Sequence, residues 1–228
     1  MSTEGTPLSE GSFVSPALRA RVRDLATPIA RGLGRLGLTP NALTVIGFSG
    51  TCVAALAAGM QLWLVAGVLV LAFGIFDLFD GALARSTGRT SRFGAFLDSA
   101  LDRTSENLVY AGIAVGCAVA YYPLGVALAV LALTFASVVT YTRAKAEVVG
   151  LHGEVGFAPR EVRLVVLAVG LVTCGLTGGV WPSGRLSLPP PPAAGNVALE
   201  VSLAIIATLA AITVIQRVLH VRAQSEEG

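Results

Sequence analysis

Six long apolar stretches alternate with polar breaks along this 228-residue chain, at about 41–60, 61–83, 94–121, 122–142, 161–181 and 199–219. Each is close to the roughly twenty residues that a helix needs to cross a bilayer. A segment in hydrocarbon must satisfy its own backbone polar groups, so the predicted spanning elements are helices. An even number of passes returns the chain to its starting side. The breaks RSTGRTSR (85–92) and AKAEVVGLHGEVGFAPR (144–160) are polar, while SLPPPPAA (187–194) reads as a stiff, extended connector on the far face. Ahead of the first stretch, Leu18, Val22, Leu25, Ile29 and Leu33 recur at helical spacing with arginines between them. That pattern predicts an amphipathic helix lying in the membrane interface. Residues 1–14 contain Glu4 and Glu10 and no long apolar run, which fits a disordered cytoplasmic tail and not a secretory signal. The expected fold is therefore all-α: a polytopic membrane domain over 15–228, with six transmembrane helices and an N-terminal interfacial amphipathic helix.

Composition agrees with the pattern. Hydrophobic residues make up 54% of the chain and charged residues 13%, and the mean hydropathy is +0.74. A soluble domain carries about 25% charged residues, so a cytosolic enzyme and a disordered chain are both excluded. The net charge of +2 is no nucleic-acid footprint. What informs is where the charges sit: of sixteen Lys and Arg, only Arg185 falls on the side opposite the amino terminus. By the positive-inside rule, both termini face the cytoplasm, as expected for a multi-pass protein of the inner (plasma) membrane. Cys52, Cys117 and Cys174 stand singly in apolar stretches and read as small buried residues without a zinc or disulfide pattern.

The expensive residues lie in FDLFDGALARSTGRTSRFGAFLDSALDR (76–103), which places Asp77, Asp80, Asp98 and Asp102 inside the second and third stretches. An aspartate at the bilayer centre costs roughly 2.5–3.5 kcal/mol, so four unpaired ones would cost on the order of 10 kcal/mol. Asp77 and Asp80 are three residues apart, and Asp98 and Asp102 four, so each pair projects from one helix face. Antiparallel helices joined by a short loop can bring those faces together. Salt bridges to Arg85 and Arg103 would be the purely structural explanation, but they account for neither the repeated spacing nor the neighbouring glycines. One or two hard divalent cations, Mg2+ or Mn2+, suit an all-oxygen donor set better. Asp80 lies five residues from Arg85, roughly 7–8 Å along a helix, so the site opens near the cytoplasmic headgroups. Ions there can clamp a diphosphate whose tails remain in the bilayer, which points to phosphoryl-type transfer on a lipid.

The arrangement Asp77-x-x-Asp80-Gly81-x-x-Ala84-Arg85, eight residues, Gly94-x-x-x-Asp98-x-x-x-Asp102 resembles the signature of the CDP-alcohol phosphotransferases at every fixed position. The resemblance implies six transmembrane helices behind an interfacial helix, homodimers, and transfer of a phosphatidyl group from CDP-diacylglycerol to an acceptor hydroxyl with release of CMP. It implies that Asp77, Asp80 and Asp98 are metal ligands, and that Asp102 combines metal contact with general-base abstraction of the acceptor proton. On the same footing, Asp77, Gly81, Ala84 and Arg85 would bind the CDP-lipid, and Gly94 would permit close helix packing.

Basic residues in the helices bear on the acceptor. Arg143 and Lys145 end the fourth stretch, Arg160 and Arg163 open the fifth, and Arg217 lies near the end of the sixth. Singly each could be snorkelling decoration; together they favour an anionic acceptor, a sugar or polyol phosphate. The segments TPIARGLGRLGLTPNALT (27–44), FGAFLDSALDR (93–103), YTRAKAE (141–147) and IQR (215–217) are similar to the actinobacterial subgroup that makes phosphatidylinositol phosphate from inositol 1-phosphate. That similarity implies an acceptor-phosphate site formed by Thr140, Arg143, Lys145, Arg160 and Arg217. Glycerol 3-phosphate is the alternative acceptor. A divalent-cation channel or transporter is the alternative of another class, opposed by the gathering of ionisable span residues toward the cytoplasmic half.

Overall fold

The computed structural model describes residues 27–88, 90–153, 155–156, 159–182 and 194–226. The tail at 1–14, the first turns of the expected interfacial helix with Leu18, Val22 and Leu25, and nearly all of the proline connector lie outside the described residues. Residues 27–35 are helical. Among the described residues, seven helices follow: α1 (Pro40–Gly59), α2 (Trp63–Gly74), α3 (Phe76–Thr87), α4 (Arg92–Val119), α5 (Pro123–Val148), α6 (Arg160–Leu176) and α7 (Ala194–Glu226). Among the described residues all regular structure is helical.

Local chemistry sets the ends. Thr39 caps α1 by accepting from the Ala42 amide at 3.2 Å, with Pro40 at the first helical position. Ser91 caps α4 by accepting from the Gly94 amide at 2.9 Å. At the opposite end, α1 turns into α2 through Gln61 in left-handed backbone (φ 62°), with Leu62 N–H donating to Ala57 at 2.9 Å. α4 turns into α5 the same way, with Tyr121 at φ 52° and Tyr122 N–H donating to Cys117 at 2.8 Å. Both are Schellman closures without the usual glycine.

Among the described residues, four helical stretches are long and apolar enough to cross a membrane: Pro40–Gly59, Trp63–Thr87, Pro123–Val148 and Ala194–Glu226. The second is the predicted 61–83 segment carried further; α2 and α3 follow one another with only Ile75 between them. α4 and α6 do not reach that standard, although both sit in the same bundle. The first half of α4 carries Asp98, Asp102, Arg103 and Glu106, and α6 is 17 residues long with Arg160, Glu161 and Arg163 in its opening turns. The charges in α4 are those of the candidate site, whereas α6 falls short by its length.

α1 is the inner reference of the bundle, packing along α2, α3 and α4. Its contact with α4 is a seam of small residues. A Cβ added at Gly112 would lie 2.2 Å from the Ala55 carbonyl oxygen, and one at Gly116 2.2 Å from that of Ala58. Only glycine admits that approach. α5 fills the space between α4 and α7, and α6 lies against α2 and α7. Leu56, Val68, Val119, Val130, Val169 and Val201 point outward, an apolar belt suited to lipid. Cys117 and Cys174 are buried as expected, while Cys52 is partly exposed.

One expectation fails. Not every ionisable span residue lies at the end that carries the aspartates, because Glu200, in the first turns of α7, accepts from the Tyr122 hydroxyl at the opposite end. The phenol supplies the partner that allows a carboxylate there.

Candidate active site

The starts of α1, α4 and α6 and the ends of α3, α5 and α7 meet at one end of the bundle, and the motif residues gather there. α3 carries Asp77 in its first turn and Asp80 in the next; the side chain of Asp77 lies outside the described residues. Asp80 is buried, at 5% exposure, and the Thr44 hydroxyl of α1 donates to its Oδ2 at 2.6 Å. On the neighbouring flank of α3, Ala82 and Leu83 are buried in a small cluster with Ala30 and Leu43. α3 is thus pinned to α1 by one apolar and one polar contact, which fixes the direction of the carboxylate.

The Gly81 surface is covered by a side chain and not by backbone: a Cβ there would meet the Arg85 guanidinium at 3.2 Å. Glycine keeps that strip of the helix shallow beneath the guanidinium. Ala84 is half-buried beside it. Gly94 lets the first turn of α4 approach the start of α1, where a Cβ would meet Asn41 Oδ1 at 2.9 Å. Asp98 and Asp102 follow on α4, both half-buried. A cavity of about 350 Å³, lined by Gly34, Leu38, Pro40, Leu83 and Thr87, opens where the leading helix, α1 and the end of α3 meet.

An ion pair at the motif joins α4 to α6. Arg160 Nη1, at the start of α6, lies 2.8 Å from Asp102 Oδ2, both about a quarter exposed. Three residues on, Arg163 is not at the surface: its guanidinium forms a bidentate pair with Glu106, Nε to Oε1 and Nη2 to Oε2, each 2.7 Å, at 3% and 4% exposure. The Tyr110 hydroxyl donates to Glu106 Oε1 at 3.3 Å.

The other basic residues divide. Arg217 donates from Nε to the Val155 carbonyl at 2.8 Å and from Nη1 to that of Val139, tying α7 to the end of α5 and the connector after it. The Thr140 hydroxyl donates within its own helix to Ala136 at 3.1 Å. Arg143 pairs with Glu147 at 3.0 Å on an exposed face, and Lys145 is exposed. Two contributors escaped sequence reasoning. Thr44 is one polar residue in an apolar stretch, and Glu106 extends the four-residue spacing of Asp98 and Asp102, the one signal that could have flagged it.

The motif aspartates offer carboxylate oxygens alone, which fits a hard divalent cation. Among the described residues no three acidic, histidine or cysteine side chains stand close enough to hold an ion, and the Asp77 side chain is not among those residues.

Residues 37–215 match the family of CDP-alcohol phosphatidyltransferases. The chain belongs to that family. All eight motif positions of this phosphatidyltransferase lie inside the matched segment. It is 37% identical over 216 residues to a phosphatidylinositol phosphate synthase of Cutibacterium acnes, covering 91% of this chain and 97% of that one. Its fold matches the crystal structure of Mycobacterium tuberculosis phosphatidylinositol phosphate synthase with CDP-DAG bound, at a TM-score of 0.73 and 34% identity, over 87% of this chain and 94% of that one. A second structure of the tuberculosis enzyme, in complex with manganese and citrate, matches at a TM-score of 0.73 and 34% identity, over 86% and 88%. A relative of this phosphatidyltransferase therefore binds a divalent metal.

Proposed function

We propose that this phosphatidyltransferase moves the phosphatidyl group of CDP-diacylglycerol to a hydroxyl of inositol 1-phosphate, forming phosphatidylinositol phosphate and releasing CMP. The observation that carries this reading is the complete eight-position motif on α3 and α4 at one end of the bundle, in a chain whose relatives of near-full overlap bear that product in their name. Asp77, Asp80, Asp98 and Asp102 hold Mg2+ or Mn2+, with two ions the count that four carboxylates support. Bound there, the metal supplies charge neutralisation to the diphosphate. Gly81, Ala84 and Arg85 receive the cytidine diphosphate portion together with Asp77.

Asp102 takes the proton from the acceptor hydroxyl, which is a poor nucleophile until a positioned base removes it. The hydroxyl oxygen bonds to the attacked phosphorus, the bond from that phosphorus to the oxygen bridging to CMP breaks, and CMP leaves with the electron pair. Arg160, already beside Asp102, Arg217, Arg143, Lys145 and Thr140 bind the acceptor phosphate. The site faces the cytoplasm of the plasma membrane. Six passes and an interfacial helix beginning before residue 27 fit the gathering of basic residues at one end, and a homodimer fits the family.

The deciding experiment is CMP release by detergent-purified protein with CDP-diacylglycerol and Mg2+ or Mn2+, comparing inositol 1-phosphate, glycerol 3-phosphate and free inositol. Dependence on inositol 1-phosphate is the expected result. Dependence on glycerol 3-phosphate would overturn the acceptor while keeping the reaction, and release with free inositol alone would remove the phosphate site.

A further inference from the structure

α4 and α6 do not lie against one another along their lengths: α4 packs along α1 and α5, and α6 along α2 and α7. Two ionic rungs nevertheless cross between them. The outer is Asp102 with Arg160, and the inner is Glu106 with Arg163. The rungs are spaced by four residues on α4 and three on α6, close to one helical turn on each, so they are parallel.

The inner rung is the better built. Both partners are at least 96% buried by side-chain exposure, both carboxylate oxygens are engaged by the guanidinium fork, and Tyr110 holds one of them from the next turn of α4. A buried ion pair gains little stability over apolar residues of the same volume. What a bidentate fork supplies is fixed geometry. Pro159 at the N-cap of α6 provides no side-chain hydrogen bond, and Arg160 is the first helical residue. One turn inward from Arg160 stands the buried Glu106–Arg163 pair.

We propose that Glu106 and Arg163 are positioning residues: their fork sets the depth and rotation of α6 against α4, so that Arg160 faces Asp102 where the acceptor's phosphate and hydroxyl must both arrive. This rests on the acceptor reading above. It predicts a loss confined to one substrate, because α6 contributes to the acceptor side while α3, which carries the CDP-lipid residues, is held independently by α1.

The test is steady-state kinetics on the purified full-length protein, each substrate varied in turn, for Glu106→Gln and for the apolar pair Glu106→Leu with Arg163→Met. Folding is checked by gel filtration and thermal unfolding. For folded variants the KM for inositol 1-phosphate is expected to rise about 10–100-fold, the scale of a small misplacement of a binding group, with the KM for CDP-diacylglycerol near wild type. Folded variants with an unchanged acceptor KM, or with equal rises for both substrates, would overturn the proposal. Should neither variant fold, Arg163→Lys keeps the charge while losing the fork, and carries the same comparison. Failure of the underlying acceptor reading shows separately, as wild-type protein that releases CMP without a phosphorylated acceptor.

Discussion

Asp80 is buried, and the Thr44 hydroxyl engages one of its oxygens at 2.6 Å. Removing that donor leaves a buried carboxylate short of a hydrogen bond, at a cost of about 1–3 kcal/mol. Thr44→Val is therefore expected to lower CMP release about 10–100-fold, as loss of a ligand-orienting partner commonly does, with Thr44→Ser retaining most activity. Asp77→Asn, Asp80→Asn and Asp98→Asn are expected to abolish CMP release while the protein still elutes as a folded species, and a chelator should silence the wild type in the same way. Asp102→Asn should also be inactive; normal turnover in that variant would remove it as the base. The aspartates were legible in the sequence because a charge in an apolar run has no cheap explanation. Thr44 and Glu106 were not, because a threonine in a spanning helix usually bonds its own backbone, and a glutamate after two aspartates reads as more of the same cluster. What sets each apart is a partner on another helix, 36 residues away for Thr44 and 57 for Glu106.

Among the helices, the α1–α4 seam has the least tolerance. Gly112→Val or Gly116→Val must push a side chain against a carbonyl 2.2 Å away, and overpacking of this kind costs typically 1–3 kcal/mol or more. Both are expected to lower the thermal midpoint and the activity together. Gly59→Ala, whose Cβ would find its nearest neighbour at 3.7 Å, should leave both unchanged. The Gln61 and Tyr121 turns carry the opposite prediction: left-handed backbone costs an L-residue roughly 1–2 kcal/mol, so Gln61→Gly is expected to raise the thermal midpoint. Hydropathy made the helices visible, since apolar length is what a bilayer selects. It could not separate glycines in the seam from glycines facing outward, nor show α2 and α3 as two helices meeting at Ile75.

Among the described residues, the polar side chains of the candidate site gather at one end of the molecule. The motif, both crossing ion pairs and the Arg217 tie share the first end, while the second has tight turns and the Tyr122–Glu200 contact. In a cysteine-free background, cysteines placed at Ser86 and Ser225 are expected to react with an impermeant thiol reagent from the cytoplasmic side only, and one at Thr177 from the outside only. Any other distribution would contradict the proposed orientation. Arginine placement made this axis readable from sequence, whereas α4 falls short as a span because of the charges in its first half and α6 because it is only 17 residues long. Between the two carboxylate-bearing helices stands α1, which packs on both α3 and α4 and bears none of the motif residues. In a mutational scan scored by enzyme output, the inner face of α1, from Thr44 through Gly50 and Ala55 to Ala58, should therefore show the intolerance expected of a catalytic surface, although most of it never meets substrate.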